Sequence, residues 1–170
     1  MKKYKIFFLL VVLMACKSAK QSIVAENAIV NFTSDCPKEG TCTVKLLHNK
    51  AVVTKTDENG ENFQYNLIAD TTKTTIVYEY SKNVPKGIMD AGLREEIVIT
   101  IDNNIKEGRF TDFQSAVFGR FCYCKGYTGY YKIKRSVLTV INKNQQQYFN
   151  FQFKVDDVPQ ITQSIDFSIK

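Results

Sequence analysis

The sequence predicts an all-β fold, namely a single antiparallel β-sandwich or small barrel of about eight to ten strands with one short helix. Two features of the chain support this prediction. Three segments alternate strictly between apolar and polar residues, which is typical of strands with one buried face and one solvated face. Short stretches of turn-forming residues recur roughly every ten residues, and helical periodicity is nearly absent.

The three strongest strand predictions are residues 93–101, 147–155 and 161–169. Every second residue is predicted to face the core: Leu93, Glu95, Ile97, Ile99 and Ile101 in the first segment, Phe149, Phe151, Phe153 and Val155 in the second, and Ile161, Ile165, Phe167 and Ile169 in the third. Glu95 is charged although it falls on an apolar face. We expect it to lie near a strand end or to pair with a basic residue of segment 120–135.

Weaker alternation predicts further strands at residues 23–32, 41–48, 51–56, 62–68, 74–80 and 130–141. The connections between strands carry residues that favour turns at positions 49–50, 57–60, 84–87 and 142–144. The chain has no internal repeat and no second linker, so a single domain is expected.

The single predicted helix covers residues 111–118. Thr111 or Asp112 is suited to cap its N-terminus, and Gly119 stands where a helix commonly ends. Apolar residues recur at helical spacing: Phe110, Phe113 and Val117. We expect this helix to pack on a sheet edge or to close one end of the sandwich.

The N-terminus has the composition of an export signal. It begins with three basic residues, Lys2, Lys3 and Lys5. The apolar residues 6–14 that follow are too few for a membrane-spanning helix of roughly 20 residues. The run Leu13-Met14-Ala15-Cys16 resembles the lipobox of bacterial lipoproteins. This resemblance covers about the first twenty residues and implies that Cys16 is lipidated and that the signal is removed.

On this basis the chain divides into a cleaved signal peptide (1–15), a lipidated N-terminus and tether (16–22) and a single β-sandwich domain (23–170). The resemblance implies that a lipid anchors the protein to a membrane of the bacterial cell envelope. Lys17 follows Cys16 in place of the aspartate that retains many lipoproteins in the inner membrane. By the same resemblance, the outer membrane is favoured.

The charge of the mature chain is modest. Three of the 23 Lys and Arg residues lie in the signal, which leaves 20 basic against 17 acidic residues and a net charge of about +3. The +6 of the precursor is therefore weak support for an anionic partner. Export also argues against a nucleic-acid partner, because the mature protein leaves the cytoplasm.

Four cysteines remain besides Cys16, and an even number in an exported chain indicates disulfides: Cys36, Cys42, Cys122 and Cys124. A bridge between Cys36 and Cys42 is the simplest pairing, because Pro and Gly lie between them. It would leave Cys122 with Cys124, whose Cα atoms would be roughly 7 Å apart in a strand, at the limit of disulfide reach. Cross-pairing of the early and late cysteines is the alternative.

Basic residues dominate segment 113–155, which contains no acidic residue. Within it, residues 118–131 form the densest run of aromatic residues and glycines. Tyrosine faces suit stacking on sugar rings, and basic side chains suit anions. The candidate surface for a glycan, an anionic envelope polymer or an envelope protein is therefore Arg120, Tyr123, Lys125, Tyr127, Tyr130 and Tyr131. Packing of these aromatic residues in the sandwich core is the alternative.

Hydrolytic chemistry finds little support in the sequence. The chain has one histidine, His48, and no G-x-S-x-G motif, so a Ser-His-Asp triad is not expected. We therefore predict a non-enzymatic, membrane-anchored binding module without a cofactor or metal. The alternative is a thiol protein in which Cys122 and Cys124 carry out redox chemistry or bind copper. A scaffold subunit whose aromatic segment packs against a partner chain is a third candidate.

Overall fold

The computed structural model describes residues 22–25, 28–32, 36–58, 63–88, 91–113 and 115–169. In these ranges, sheet A contains β1 (Ser22–Ala25), β2 (Ala28–Phe32), β6 (Gly108–Thr111), β9 (Arg135–Lys143), β10 (Gln146–Lys154) and β11 (Ser164–Ile169). Sheet B contains β3 (Gly40–Thr56), β4 (Phe63–Lys82), β5 (Leu93–Asp102), β7 (Ala116–Cys122) and β8 (Gly129–Lys132). Cys16 and the predicted signal peptide lie outside the described residues.

The two sheets pack face to face as an antiparallel β-sandwich, which confirms the predicted fold class. Sheet A has the order β1-β2-β11-β10-β9-β6, and sheet B has the order β3-β4-β5-β7-β8. The inward residues predicted for segment 147–155 are all buried: Phe149, Phe151, Phe153 and Val155. Phe149 stacks on Phe167 of β11, with ring centroids 4.8 Å apart. Burial of this aromatic face, on the order of 1.5–3 kcal/mol per side chain, holds the sheets together.

Strand β5 is buried on both faces, although the sequence predicted one wet face. Its inward residues Ile97 and Ile99 are fully buried, as predicted. On the opposite face, Val98 is also fully buried, and Glu96 and Thr100 are nearly so. The β3–β4 hairpin covers this face, because its outer half folds back over sheet B.

The fold-back begins at an irregularity in the β3–β4 ladder, where residues 70–73 of β4 lie opposite Asn49 of β3. The register of β3 with β4 shifts between His48 and Lys50, and Asn49 adopts a left-handed conformation with a φ of 56°. The predicted turn at residues 49–50 is therefore wrong. Segments predicted as pairs of separate strands are instead continuous. Residues 41–48 and 51–56 belong to β3, and residues 74–80 belong to β4 together with 63–68, the described part of the predicted strand 62–68.

Hydrogen bonds hold the folded-back half of the hairpin on β5. The Val52 backbone N–H donates to Thr100 Oγ1 at 3.0 Å. Thr75 Oγ1 lies 2.9 Å from Thr100 Oγ1 and donates to the Lys50 carbonyl at 2.8 Å. The buried threonines thus satisfy two backbone groups of the edge strand β3.

The predicted helix over residues 111–118 is wrong, because this segment forms the end of β6, a turn and the start of β7. Asp112 has a φ of 50° and turns the chain from sheet A to sheet B. Phe113 packs edge-on to Phe151 of the core at 6.2 Å, and Val117 is buried in β7. The spacing of Phe110, Phe113 and Val117, which is also that of a helix face, therefore comes from a strand, a turn and a second strand.

The last strand begins at Ser164, three residues later than predicted. Ile165 and Phe167 are buried as expected, whereas Ile161 is 40% exposed and precedes the strand. Its backbone N–H donates to a side chain of sheet B and so does not enter the ladder of sheet A. The predicted strand 130–141 is likewise divided, because the chain leaves sheet B after Lys132 and enters sheet A at Arg135.

The predicted turn at 84–87 occurs where the sequence placed it, whereas the turn predicted at 142–144 lies later, at residues 144–145. The Ile88 N–H donates to the Pro85 carbonyl at 3.3 Å, and Gly87 has a φ of 92°. In the β9–β10 hairpin, Asn144 and Gln145 both have positive φ, as in the turns that match strand twist. The predicted turn at 57–60 lies partly outside the described residues.

Candidate functional site

The cysteines pair locally. Cys36 is joined to Cys42, with Cα atoms 5.8 Å apart, which is the simplest of the predicted pairings. The Sγ atoms of Cys122 and Cys124 are also in contact, and their Cα atoms are 5.2 Å apart. Early and late cysteines are therefore not cross-paired. The second pair fixes the start of the connection between β7 and β8, residues 123–128, which we term the β7–β8 loop.

The β7–β8 loop carries three of the six predicted binding residues on its surface. Tyr123 is 85% exposed and Tyr127 is 46% exposed. Lys125 lies between them and is also exposed. Two aromatic rings and one cation therefore project from a single short loop.

Local hydrogen bonds order this loop. The Tyr127 N–H donates to the Cys124 carbonyl at 3.2 Å, and Gly126 supplies the positive φ of 80° that the turn requires. Thr128 Oγ1 donates to the Arg120 carbonyl at 3.3 Å and ties the end of the loop to β7. The exposed tyrosines are thus presented by a constrained backbone.

Arg120 points away from this surface and into the sandwich. Its Nη1 lies 2.8 Å from Oε1 of Glu95, which is 0% exposed and sits directly opposite it in register. The same carboxylate accepts the N–H groups of Ile161 and Thr162, each at 2.8 Å. The prediction that Glu95 pairs with a basic residue of this segment is confirmed. The pair also anchors the β10–β11 loop, residues 155–163, to sheet B.

Tyr130 lies on the outer face of sheet B beneath the folded-back hairpin. Gly119 separates it from Glu96 in register, and a Cβ on that glycine would lie 2.9 Å from the Tyr130 ring. The ring therefore crosses the glycine and brings its hydroxyl 3.4 Å from Glu96 Oε1. Tyr65 of the hairpin donates to the same oxygen at 2.9 Å. Burial, followed by the Glu96 charge, raises the pKa of both tyrosines.

Arg94 completes this outer network. Its Nη1 lies 2.9 Å from Oε2 of Glu79 and 3.3 Å from Oε2 of Glu96. Its guanidinium lies 4.2 Å from the centre of the Phe121 ring, a cation–π contact. The network fastens the hairpin to sheet B, so Tyr130 has a packing role.

Tyr131 faces the opposite side of β8 and packs partly against the core. Its ring centroid is 6.4 Å from that of Phe118, and burial raises the pKa of its hydroxyl. The six predicted residues therefore occupy three environments. The exposed loop holds Tyr123, Lys125 and Tyr127, the inner face of sheet B holds Arg120 and Tyr131, and its outer face holds Tyr130.

A cleft of about 700 Å³ opens beside Tyr127. Its other wall is the end of β10 and the β10–β11 loop, with Val158, Pro159 and Gln160 among the lining residues. The Gln160 side chain accepts the Val155 N–H at 2.7 Å and donates to the Thr162 carbonyl at 2.9 Å. These bonds give the loop a defined shape although it contains no regular secondary structure.

The charges around this cleft are largely compensated. Lys134 Nζ lies 3.3 Å from Asp157 Oδ2, and Lys154 Nζ lies 3.7 Å from Asp156 Oδ1. Asp156 is also paired with Arg135. Asp156 and Asp157, which follow the basic segment in the sequence, thus pair with its cations. The separation of charge along the chain therefore does not give an uncompensated cationic surface here.

Sequence reasoning missed the β10–β11 loop as part of the candidate site. Gln160 and Gln163 belong to no recognisable sequence motif. Their loop lies next to Tyr127 only because the chain crosses from sheet B to sheet A between β8 and β9. It also missed Tyr65 and Glu96, which meet because the hairpin folds back. The predicted strands 147–155 and 161–169 left residues 156–160 as a connection, but nothing in its sequence indicated a role in a site.

Among the described residues, no group of three or more His, Cys, Asp and Glu side chains is arranged to hold a metal ion. That part of the chain also lacks a helix with the length and apolar character of a membrane span. Comparison with protein-family models, curated proteins and solved structures finds no match to this chain.

Proposed function

We propose that this protein is a lipid-anchored bacterial envelope lipoprotein that binds a ligand through its β7–β8 loop and catalyses no reaction. The ligand belongs to one of three classes: a glycan, an anionic envelope polymer or another envelope protein. The observation that carries the proposal is the 85% exposure of Tyr123 on a loop whose backbone is constrained at both ends. A tyrosine held in water can gain substantial burial energy when a ligand covers it.

The position of the loop is compatible with an N-terminal anchor. Cys16 precedes Ser22 by six residues, which span at most about 20 Å. A lipid on Cys16 would therefore keep β1 close to the membrane. Strands β1 and β2 lie against β3 at one edge of sheet B, whereas β8 forms the other edge. The β7–β8 loop would then be roughly 19 Å from the anchored edge, four strand spacings away.

The experiment uses the full chain, expressed in a Gram-negative bacterium and purified from its membranes in detergent. Intact mass measures whether Cys16 carries lipid. Co-sedimentation with peptidoglycan sacculi and with outer-membrane fragments then compares the wild type with the double variant Tyr123→Ala/Tyr127→Ala. Tyr148→Ala is the control, because this half-buried tyrosine lies on the outward face of β10, away from the loop.

The proposal expects a lipid mass on Cys16 and sedimentation that the double variant loses and the control retains. An unmodified Cys16 would contradict the anchor. Equal sedimentation of all three proteins, or sedimentation of none, would contradict the binding role of the loop.

A thiol function is the second candidate, and the closeness of two accessible cysteines, Cys122 and Cys124, at the surface favours it. Both cysteines are only half-buried, so soluble thiols can reach them. Alkylation of the native protein without reductant distinguishes the two functions. Free thiols or bound copper at Cys122 and Cys124 would favour the thiol function, whereas an oxidised, metal-free pair would favour the binding module.

A further inference from the structure

We infer that the ligand is a neutral oligosaccharide and that one of its sugar rings stacks on Tyr127. The inference rests on the proposed binding function and narrows its ligand class. It derives from the shape, the chemistry and the charge of the groove beside the β7–β8 loop.

The groove is longer than the cleft next to Tyr127. A second cavity of about 450 Å³ continues it over the outer face of sheet A. Both cavities are lined by Phe153, Lys154 and Gln163, so they form one continuous depression. An elongated depression open to solvent suits a chain of several units better than a single small molecule.

The groove offers the groups that sugars require. Tyr127 is 46% exposed and presents a flat apolar ring at one end, against which the C–H face of a sugar can pack. Farther along, uncharged hydrogen-bonding side chains line the wall: Gln152, Gln163 and Ser164. Amides and hydroxyls both donate and accept, as sugar hydroxyls do.

The charges disfavour an anionic polymer. Three basic side chains along the groove, Lys134, Arg135 and Lys154, are each paired with Asp156 or Asp157. Exposed Lys125 lies on the neighbouring β7–β8 loop. A polyanion in the groove would meet both carboxylates and would have to break these pairs to gain a cation other than Lys125. A neutral chain can leave the pairs in place and use the carboxylate oxygens as acceptors.

The groove is also ordered before any ligand arrives. The Glu95 carboxylate holds the N–H groups of Ile161 and Thr162, and the Gln160 side chain bonds the backbone on both sides of the β10–β11 loop. Binding of a ligand therefore costs little conformational entropy in this wall. Such preorganisation matters for oligosaccharides, whose individual contacts are weak.

The test is calorimetric titration of the detergent-solubilised full chain with neutral hexasaccharides of glucose, mannose, galactose and N-acetylglucosamine. Heparin, polyphosphate and detergent-solubilised outer-membrane proteins are titrated in parallel. We expect binding of at least one neutral hexasaccharide, with an affinity that is unchanged between low and high salt. Tyr127→Ala should weaken it about tenfold. Tyr127→Phe, which keeps the ring, should stay near wild type, and Gln163→Ala should weaken binding severalfold.

Three results would overturn the inference. The first is salt-sensitive binding of heparin or polyphosphate, or binding of a protein, that depends on Tyr123 and Tyr127 while no neutral hexasaccharide binds. In that case the proposed function stands. The second is hexasaccharide binding that Tyr127→Ala leaves intact. The third is the absence of binding to every probe, which would overturn the proposed function as well.

Discussion

Glu95 and Arg120 lie directly opposite each other on neighbouring strands and form an ion pair of 2.8 Å inside the sandwich. The carboxylate is fully buried, and it also holds two backbone N–H groups of the β10–β11 loop. One buried side chain thus joins sheet B to a wall of the candidate groove. The position of that wall therefore depends on the integrity of this pair.

Replacing Glu95 by Gln should destabilise the protein by about 3 kcal/mol, because Arg120 would remain buried without a counter-charge. Urea unfolding of the purified protein measures the change. Asp102→Asn is the matched control, since it breaks the exposed pair with Lys73 and should cost no more than about 1 kcal/mol. Equal unfolding midpoints for Glu95→Gln and the wild type would contradict the structural role of the pair.

The tyrosines of the aromatic segment should differ in their effect on stability. Tyr123→Ala should change the free energy of unfolding by less than about 0.5 kcal/mol, because this side chain is 85% exposed. Tyr130→Ala should cost about 2 kcal/mol, since it removes contacts with Tyr65 and Phe121 and a donor to Glu96. Thermal unfolding followed by circular dichroism measures the stability of the two variants. A large loss for Tyr123→Ala would place its ring in the core.

The bridge between Cys36 and Cys42 should contribute about 2 kcal/mol, as expected for closing a short loop. The double variant Cys36→Ala/Cys42→Ala is compared with the wild type by denaturant unfolding without reductant. Peptide mapping of the wild type should yield a fragment in which Cys36 is linked to Cys42. A fragment linking either of them to Cys122 or Cys124 would refute the pairing.

Alkaline pH should destabilise the fold. Burial raises the pKa of Tyr78 to about 12, above the unfolded value near 10. The folded protein therefore keeps a proton that the unfolded chain loses, so stability is complete below about pH 10 and falls as the pH rises towards 12. The loss is about 1.4 kcal/mol per pH unit for one such tyrosine. Urea unfolding between pH 10 and about pH 12 should show a falling free energy of unfolding, and Tyr78→Phe should reduce the fall. Equal stability at the two pH values would contradict the raised pKa of Tyr78.

The core of the fold could be predicted from the sequence because apolar and polar residues alternate along strands that have one buried face. Phe149, Phe151 and Phe153 are inward for that reason. The helix prediction failed because Phe113 and Val117 have helical spacing but belong to a turn and a strand. The burial of Val98 was not predictable from its own segment, because the covering residues come from a hairpin that folds back from elsewhere in the chain.

The candidate site was predictable only in part. The run of aromatic residues and glycines at 118–131 drew attention to the β7–β8 loop. However, successive residues of β7 and β8 point to opposite faces of sheet B, so the predicted binding residues do not share one surface. Arg120 pairs inward with Glu95, and Tyr130 is covered by the hairpin. These assignments depend on strand register and tertiary contacts, which composition does not encode.

The most direct test of the binding role is tyrosine nitration of the full-length protein, mapped by mass spectrometry with and without isolated envelope fragments. Without fragments, Tyr123 should react fastest and Tyr78 should be protected, in accord with their exposures of 85% and 1%. If the β7–β8 loop binds an envelope component, envelope fragments should slow the nitration of Tyr123 and Tyr127 and leave Tyr148 unchanged. Unaltered nitration of the two loop tyrosines, or protection confined to other residues, would contradict it.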